Sequence, residues 1–421
     1  MVIVKKSEKL NNDKVTVNLS FLPWLCLFLF LITQFALGGH TIYSHLSYVA
    51  FCGLTFVMIL YNKNLKLYYS HYFTTFVLFM IYNFTLAGLG RAVYPDVVWS
   101  KLMYMLINLI IYIALYNFII ESNNRELLFK LTIFAAVVSL GFIMLNVEDI
   151  WTGRLGHTMT AEEPSFFVNG IPIYLSGNGI STFTGIGALF SLYFVGVNKK
   201  RLYIIPYLFL GFGTLLSGSR KGLLLLGLFT IYAIFMYFEG ANISKLVKIV
   251  IALAILYVLI MRVPVFYSLI GKRTEALIST LMGMESEESS MDNRLYLASL
   301  AKNYISERPF FGWGLGNFSR MANSKYSVDN NYLDIVVSCG FGGLLIYYSY
   351  ILVAIKSYFK VSSEKRALST NTMLFALFCF LILDTGSVMY STRTQLIWVV
   401  VFFAFVAVDL KNSVCTKDLK G

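Results

Sequence analysis

The sequence predicts an all-α polytopic membrane protein with about twelve transmembrane helices. Three observations predict it. Of the 421 residues, 57% are hydrophobic and only 13% are charged, where a soluble domain carries about 25% charged residues. Apolar runs recur from Leu19 to Val408, each near the roughly 20 residues needed to cross a bilayer core. The charges gather in the segments between the runs, as membrane topology requires. The formal charge of +12 is therefore read as topology, with some surplus for an anionic lipid or substrate. No nucleic-acid partner is expected.

The runs lie near 19–37, 43–61, 69–88, 98–120, 127–146, 180–197, 202–217, 222–239, 246–268, 331–355, 371–388 and 393–410. The seventh is short and the ninth can run on to Ile270. The polar, basic N-terminus precedes a run too long for a signal-peptide core and is followed by no small-residue cleavage site. Residues 1–18 and 411–421 are read as tails flanking a membrane domain over 19–410. With the N-terminus inside, 20 of the 34 Lys and Arg fall on the cytoplasmic side. Eight of the remaining 14 sit in or at the edge of one long loop, and long loops translocate largely regardless of charge. Both termini are placed in the cytoplasm.

Two outer loops exceed what topology needs, 147–179 and 269–330, and neither is long enough for a domain with a core of its own. The second holds an acidic Ser-rich turn, MGMESEESSMD, then an amphipathic helix. Leu297, Leu300, Ala301 and Tyr304 share its inner face, with Asn293, Lys302 and Asn303 away from it. Asp292 is a candidate cap for its start. Four of the five cysteines fall in apolar runs and the fifth in the C-terminal tail. No CxxC occurs, so neither a disulfide framework nor a zinc site is expected. The histidines have no metal-ligand spacing, and no metal or other cofactor is expected.

Five polar features fall on the expected outer side. SGSRKG, Ser217–Gly222, sets Arg220 and Lys221 in apolar surroundings, where a charge needs a partner. Snorkelling to lipid phosphate suits Lys221. The planar fork of Arg220 suits a bound phosphate, with Ser217 and Ser219 as small donors beside it. Arg294 and the stretch ERPFFGWGLGNF, with Arg308, form the second feature. A packed loop is the reading for Phe310, Phe311 and Phe318, and a platform for a sugar face is the less favoured reading of Trp313. The third is DNNYLDI. There Asp329 and Asn330 cap a helix, Asp329 is also placed to accept a proton from a hydroxyl, and Tyr332 shares its face. The fourth, RLGHTMTAEEPSFF, offers Arg154, His157 and the carboxylates Glu162 and Glu163, for which a solvated loop pair is the default. In the fifth, DTGSVMYSTR, Asp384 lies in apolar sequence and Arg393 just beyond. A bundle-stabilising ion pair and a substrate contact are both open for them. The chain has no P-loop, dinucleotide fingerprint, Ser/His/Asp arrangement or HExxH. Several arginines and a few carboxylates on one side of a bundle suit an anionic, lipid-linked substrate.

In order and sidedness, SGSR, an outer loop with an arginine, RPFFGWGLGNF and a DN-x-Y-L helix start resemble the O-antigen polymerase and O-antigen ligase superfamily. EEPSFF resembles an element of repeat-unit polymerases. The resemblance covers roughly residues 150–345 and the twelve-span count. It implies a GT-C-like bundle and a membrane glycosyltransferase in the bacterial plasma membrane (the inner membrane of a Gram-negative cell). Its substrate would be an undecaprenyl-diphosphate-linked oligosaccharide met among membrane lipid. A separate chain-length regulator is among the partners it allows. Ligases of the family typically carry His where this chain has Asp329, which favours the polymerase, a joiner of lipid-linked repeats into O-antigen, capsule or exopolysaccharide. In that reading Arg220 and Arg294 bind the diphosphate and Asp329 orients or deprotonates the acceptor hydroxyl. Arg154, Glu163, Ser217, Ser219, Arg308, Asn330, Tyr332 and Arg393 line the substrate sites, and arginines take the place of a metal. The alternatives are a ligase that moves finished glycan to lipid A core, and a flippase or transporter. The transporter class is lowered because the polar residues lie in outer loops and the two halves show no similarity.

Overall fold

The computed structural model describes residues 21–38, 41–61, 67–147, 155, 164–240, 242–272, 275, 289–324, 327–386, 388, 390 and 392–418. A helix occupies each of the twelve expected spans. They are α1 (Phe21–Ala36), α2 (Ile42–Tyr61), α3 (His71–Gly88), α4 (Pro95–Ser122), α5 (Arg125–Asn146), α6 (Gly177–Gly196), α7 (Ile204–Leu216), α8 (Arg220–Tyr237) and α9 (Asn242–Arg262). In the outer segment, α10 (Ser289–Glu307) and the single turn α11 (Phe318–Met321) precede α12 (Asn331–Lys360). The chain ends with α13 (Leu368–Leu383) and α14 (Arg393–Asp418). Among the described residues, eight helices are long and apolar enough to cross a membrane. Those at the first, second and seventh spans are apolar but shorter, and α3 carries His71, three threonines and Asn83. The last helix continues to Asp418, through much of the segment read as a tail.

Two helices form the centre. α6 is buried along most of its length and α14 nearly so. The small residues of α6, among them Gly185, Gly187, Ala188 and Ser191, let neighbouring helices approach closely, as in lipid-embedded packing generally. Phe190 of α6 meets Trp398 of α14 edge-on at 5.6 Å. At the end of the bundle far from Arg393, Arg125 closes on Asp409 at 2.6 Å. Asp409 also accepts from Thr370 Oγ1 at 2.7 Å and from the Ala367 amide. A buried carboxylate with a cation and two further donors is well satisfied.

Among the described residues the bundle departs from all-helix at one strand pair. Phe166–Val168 and Ile171–Ile173 pair antiparallel as a hairpin before α6. Asn169 and Gly170 both take positive φ there, the conformation an Asn-Gly two-residue turn requires. Two segments differ from expectation in detail. α9 stops at Arg262, and Pro264 begins a separate short stretch reaching Gly271. α10 begins at Ser289, so Asp292 lies inside it and not at its cap. Leu297 and Ala301 are buried as the amphipathic pattern requires, while Asn293, Lys302 and Asn303 face outward.

α12 is broken at Gly340, where φ is 70° and ψ −178°. The break frees carbonyls that an unbroken helix would satisfy. The GWGLG segment takes them. Trp313 N donates to Val337 O at 2.9 Å, Gly314 N to Ser338 O at 2.8 Å, and Phe341 N in return to Pro309 O at 2.8 Å. Tyr82 of α3 donates to Cys339 O at 2.8 Å. The backbones touch so closely that a Cβ on Gly340 would lie 2.1 Å from the Phe310 carbonyl carbon, and one on Gly312 2.5 Å from Ser338. Glycine is required at both positions by this approach and by positive φ. The outer segment is pinned to the α3–α4 turn as well, by Val93 N to Trp313 O at 3.0 Å and Arg320 to Asp96 at 2.8 Å.

Candidate functional site

The SGSRKG turn joins α7 to α8. Ser217 is buried and its hydroxyl donates to Thr214 O at 2.7 Å. Ser219 caps α8, accepting from Gly222 N at 3.2 Å, and its hydroxyl donates to Asn178 Oδ1 at 2.8 Å. Both serines therefore shape the turn. With the cap fixed, Arg220 and Lys221 occupy the first turn of α8. Lys221 folds back toward α13: a Cβ on Gly386 would sit 2.4 Å from Lys221 Cε. Its Nζ is buried and makes no hydrogen bond among the described residues.

Three charges converge on that ammonium. Asp329, Arg294 and Arg220 all act on it electrostatically, the carboxylate attracting and the two guanidiniums repelling. Arg294 Nη2 stands 2.8 Å from Asp329 Oδ2, with both side chains partly exposed. Arg220, Arg294 and Asp329, which the sequence reading assigns to one site, all lie within electrostatic reach of Lys221. The cap reading divides: Asn330 Oδ1 accepts from Leu333 N at 3.0 Å and caps α12, while Asp329 turns to Arg294.

The remaining candidates lie elsewhere. Tyr332 stacks on Tyr348 at 4.8 Å and donates to Leu381 O, a packing role within the bundle. Arg308 lies over Trp313 at 3.9 Å and donates to Arg91 O, so that face of the indole is covered by a guanidinium. Phe318 is buried, whereas Phe310 and Phe311 are exposed, contrary to a uniformly packed loop. Arg154, His157, Glu162 and Glu163 fall outside the described residues. Their neighbour Leu155 is held against the SGSR turn by Leu155 N to Leu216 O at 3.2 Å. Among the described residues no group of three His, Cys, Asp or Glu stands close enough to hold a metal ion.

Asp384 and Arg393 do not pair with each other. Asp384 is buried and accepts from Tyr348 at 2.6 Å and Asn331 at 3.3 Å. Arg393 is only 2% exposed. Its Nε donates to Asn108 Oδ1 at 2.7 Å and its Nη1 to Gln34 Oε1 at 3.4 Å. It lines a cavity of about 350 Å³ beside the start of α6. Asn178 lines the same cavity and bonds Ser219, so cavity and charge cluster share a wall. Sequence reasoning missed Gln34, Asn108, Asn178 and Gln395. The available signal was a polar side chain inside an apolar run. It also missed the hairpin, for which the Asn169-Gly170 pair between apolar strands was the signal.

Residues 205–348 match a family model described as O-antigen ligase. The matched segment runs from α7 through the turn at Arg220, the outer segment and the first part of α12. It supports a place for the chain in the O-antigen ligase and polymerase superfamily. A search of curated proteins gives no match.

Proposed function

From that superfamily match, we propose that the chain is an oligosaccharide repeat-unit polymerase acting on undecaprenyl-diphosphate-linked glycans at the outer face of the plasma membrane. The convergence of Arg220, Lys221, Arg294 and Asp329 at one end of the bundle carries the reading. A hydroxyl of the incoming lipid-linked repeat attacks the anomeric carbon of the growing glycan. The bond from that carbon to the diphosphate oxygen breaks, and the lipid diphosphate leaves with the electron pair. Arg220, Arg294 and Lys221 stabilise the charge that grows on it, each charge-assisted contact contributing on the order of 1.5–3 kcal/mol. Asp329 takes the hydroxyl proton. Its pairing with Arg294 couples the two roles: a diphosphate that draws the guanidinium away leaves the carboxylate open to the acceptor.

Asp329, where ligases of the superfamily carry His, favours polymerase. The ligase reading rests on the description of the matching family model. Purified protein given lipid-linked repeats alone separates the two. Chain growth supports the polymerase; product formed only when lipid A core is added supports the ligase. Arg220→Ala is expected to abolish long chains and leave single repeats on the lipid. A normal ladder of chain lengths at normal protein level would overturn the assignment.

A further inference from the structure

The cavity beside α6 holds a combination that costs free energy unless an anion enters it. Arg393 is the first residue of α14, where the positive end of the helix dipole disfavours a cation. It is also buried, and a buried charge needs a partner. Its polar contacts among the described residues are two neutral amides, Asn108 and Gln34. The rings of Tyr48 and Tyr104 stand 5.2 Å from its guanidinium carbon. Arg393 Nη2 and Gln34 Nε2 are buried donors with no hydrogen-bond partner among the described residues. A second positive helix end meets the same space, because Ser176, Asn178 and Gly179 at the start of α6 line it. Ser176 Oγ takes the Gly179 amide at 3.0 Å, and the amides of Gly177 and Asn178 lie ahead of the first intrahelical bond.

The rest of the lining is made for something larger than a small ion. The volume of about 350 Å³ lies at the lower end of ligand-sized pockets. Tyr104, Tyr174 and Phe183 supply ring faces, and Gln395 Oε1 is a buried acceptor without a donor among the described residues. Anion-seeking groups at one wall, aromatic faces and an acceptor for a hydroxyl together match a carboxylate-bearing sugar.

We propose that this cavity binds an acidic monosaccharide unit of the lipid-linked glycan, its carboxylate against Arg393 and the start of α6. The proposal rests on the glycan-transfer reading and adds a substrate class to it. The wall shared through Asn178 and Ser219 puts the acidic sugar next to the group at which Arg220 acts. Arg393 is then a specificity residue, separate from the cluster that handles the diphosphate.

The test is binding, which needs no turnover. Detergent-purified protein is titrated with glucuronate and galacturonate, and in parallel with glucose, galactose and inorganic diphosphate, by saturation-transfer NMR. At least one uronate is expected to bind about tenfold or more tighter than its neutral counterpart, the scale of a charge-assisted contact. In Arg393→Gln that preference falls to about one, while Arg220→Ala retains it. The wild-type comparison stands without any variant, should Arg393→Gln fail to fold. Diphosphate binding through Arg393 with no uronate preference would assign the cavity to the carrier phosphate and overturn the proposal. Equal binding of acidic and neutral sugars would overturn it too. Uronate binding without polymerisation of lipid-linked repeats leaves the cavity assignment standing and removes the polymerase reading; polymerisation without uronate binding does the reverse.

Discussion

Arg294 of α10 and Asp329, the residue before the cap of α12, meet at 2.8 Å. With 36% and 22% of their side chains exposed, the pair adds little stability by itself; exposed ion pairs contribute about 0–1 kcal/mol. Its weight lies in position. It joins the outer helix to the start of the broken helix, beside Arg220 and Lys221.

Asp329→Asn keeps the shape of the side chain and removes its charge. We expect the melting temperature to stay close to wild type and transfer to fall by about 10²–10⁴, the range of a general base. Turnover of lipid-linked repeats by purified protein, read beside a melting curve, checks it. Unchanged turnover would reduce Asp329 to a partner of Arg294.

Gly340→Ala places a Cβ 2.1 Å from the Phe310 carbonyl carbon at φ 70°. This positive-φ, extended-ψ backbone, essentially confined to glycine, costs about 1–3 kcal/mol for another residue, and overpacking adds about 1–3 kcal/mol. The expected result is a lower level of folded protein in the membrane and a lower melting temperature. A wild-type melting curve would mean that the outer segment gives way without loss.

Arg125→Met leaves Asp409 buried beside Thr370 with no cation. Breaking a buried pair from one side costs about 3–5 kcal/mol. The double variant Arg125→Met/Asp409→Leu is expected to recover most of that loss in a thermal melt. Turnover per folded molecule should not change, because Asp409 lies sixteen residues along α14 from Arg393, about 24 Å at 1.5 Å per residue.

Gly386→Ala pushes on Lys221 Cε from 2.4 Å. The lysine end is flexible, so the variant is expected to fold normally while its ammonium leaves the cluster. Transfer should drop to the level of Lys221→Met. A Gly386→Ala enzyme as fast as wild type, with Lys221→Met impaired, would show that the ammonium finds an equivalent place.

The helices were legible because hydropathy is a local property: each of the twelve runs carries a helix, with ends displaced by a few residues. Arg220, Arg294 and Asp329 stand out in the sequence as charges beside apolar runs, and the family resemblance puts them in one site. The place of Lys221 among them was not legible, since 74 residues separate Arg220 from Arg294 and only the fold closes that distance. Arg393 was read as a candidate while its surroundings were not, because Gln34 and Asn108 are single polar residues in apolar runs with no pattern between them. The break at Gly340 was hidden for another reason. Nothing in SCGFGG says that its carbonyls will find the amides of Trp313 and Gly314, some 25 residues earlier.

The contacts between the GWGLG segment and the α12 break run from main chain to main chain, save for Gly316 N on Ser338 Oγ at 3.4 Å. The exposed side chains of Phe310 and Phe311 can therefore be exchanged without touching that seam, whereas Leu315 is buried and Trp313 Nε1 is bonded to Tyr304 O. The seam that holds the start of α12 beside Arg294 is thus specified more by where glycine stands than by which side chains surround it.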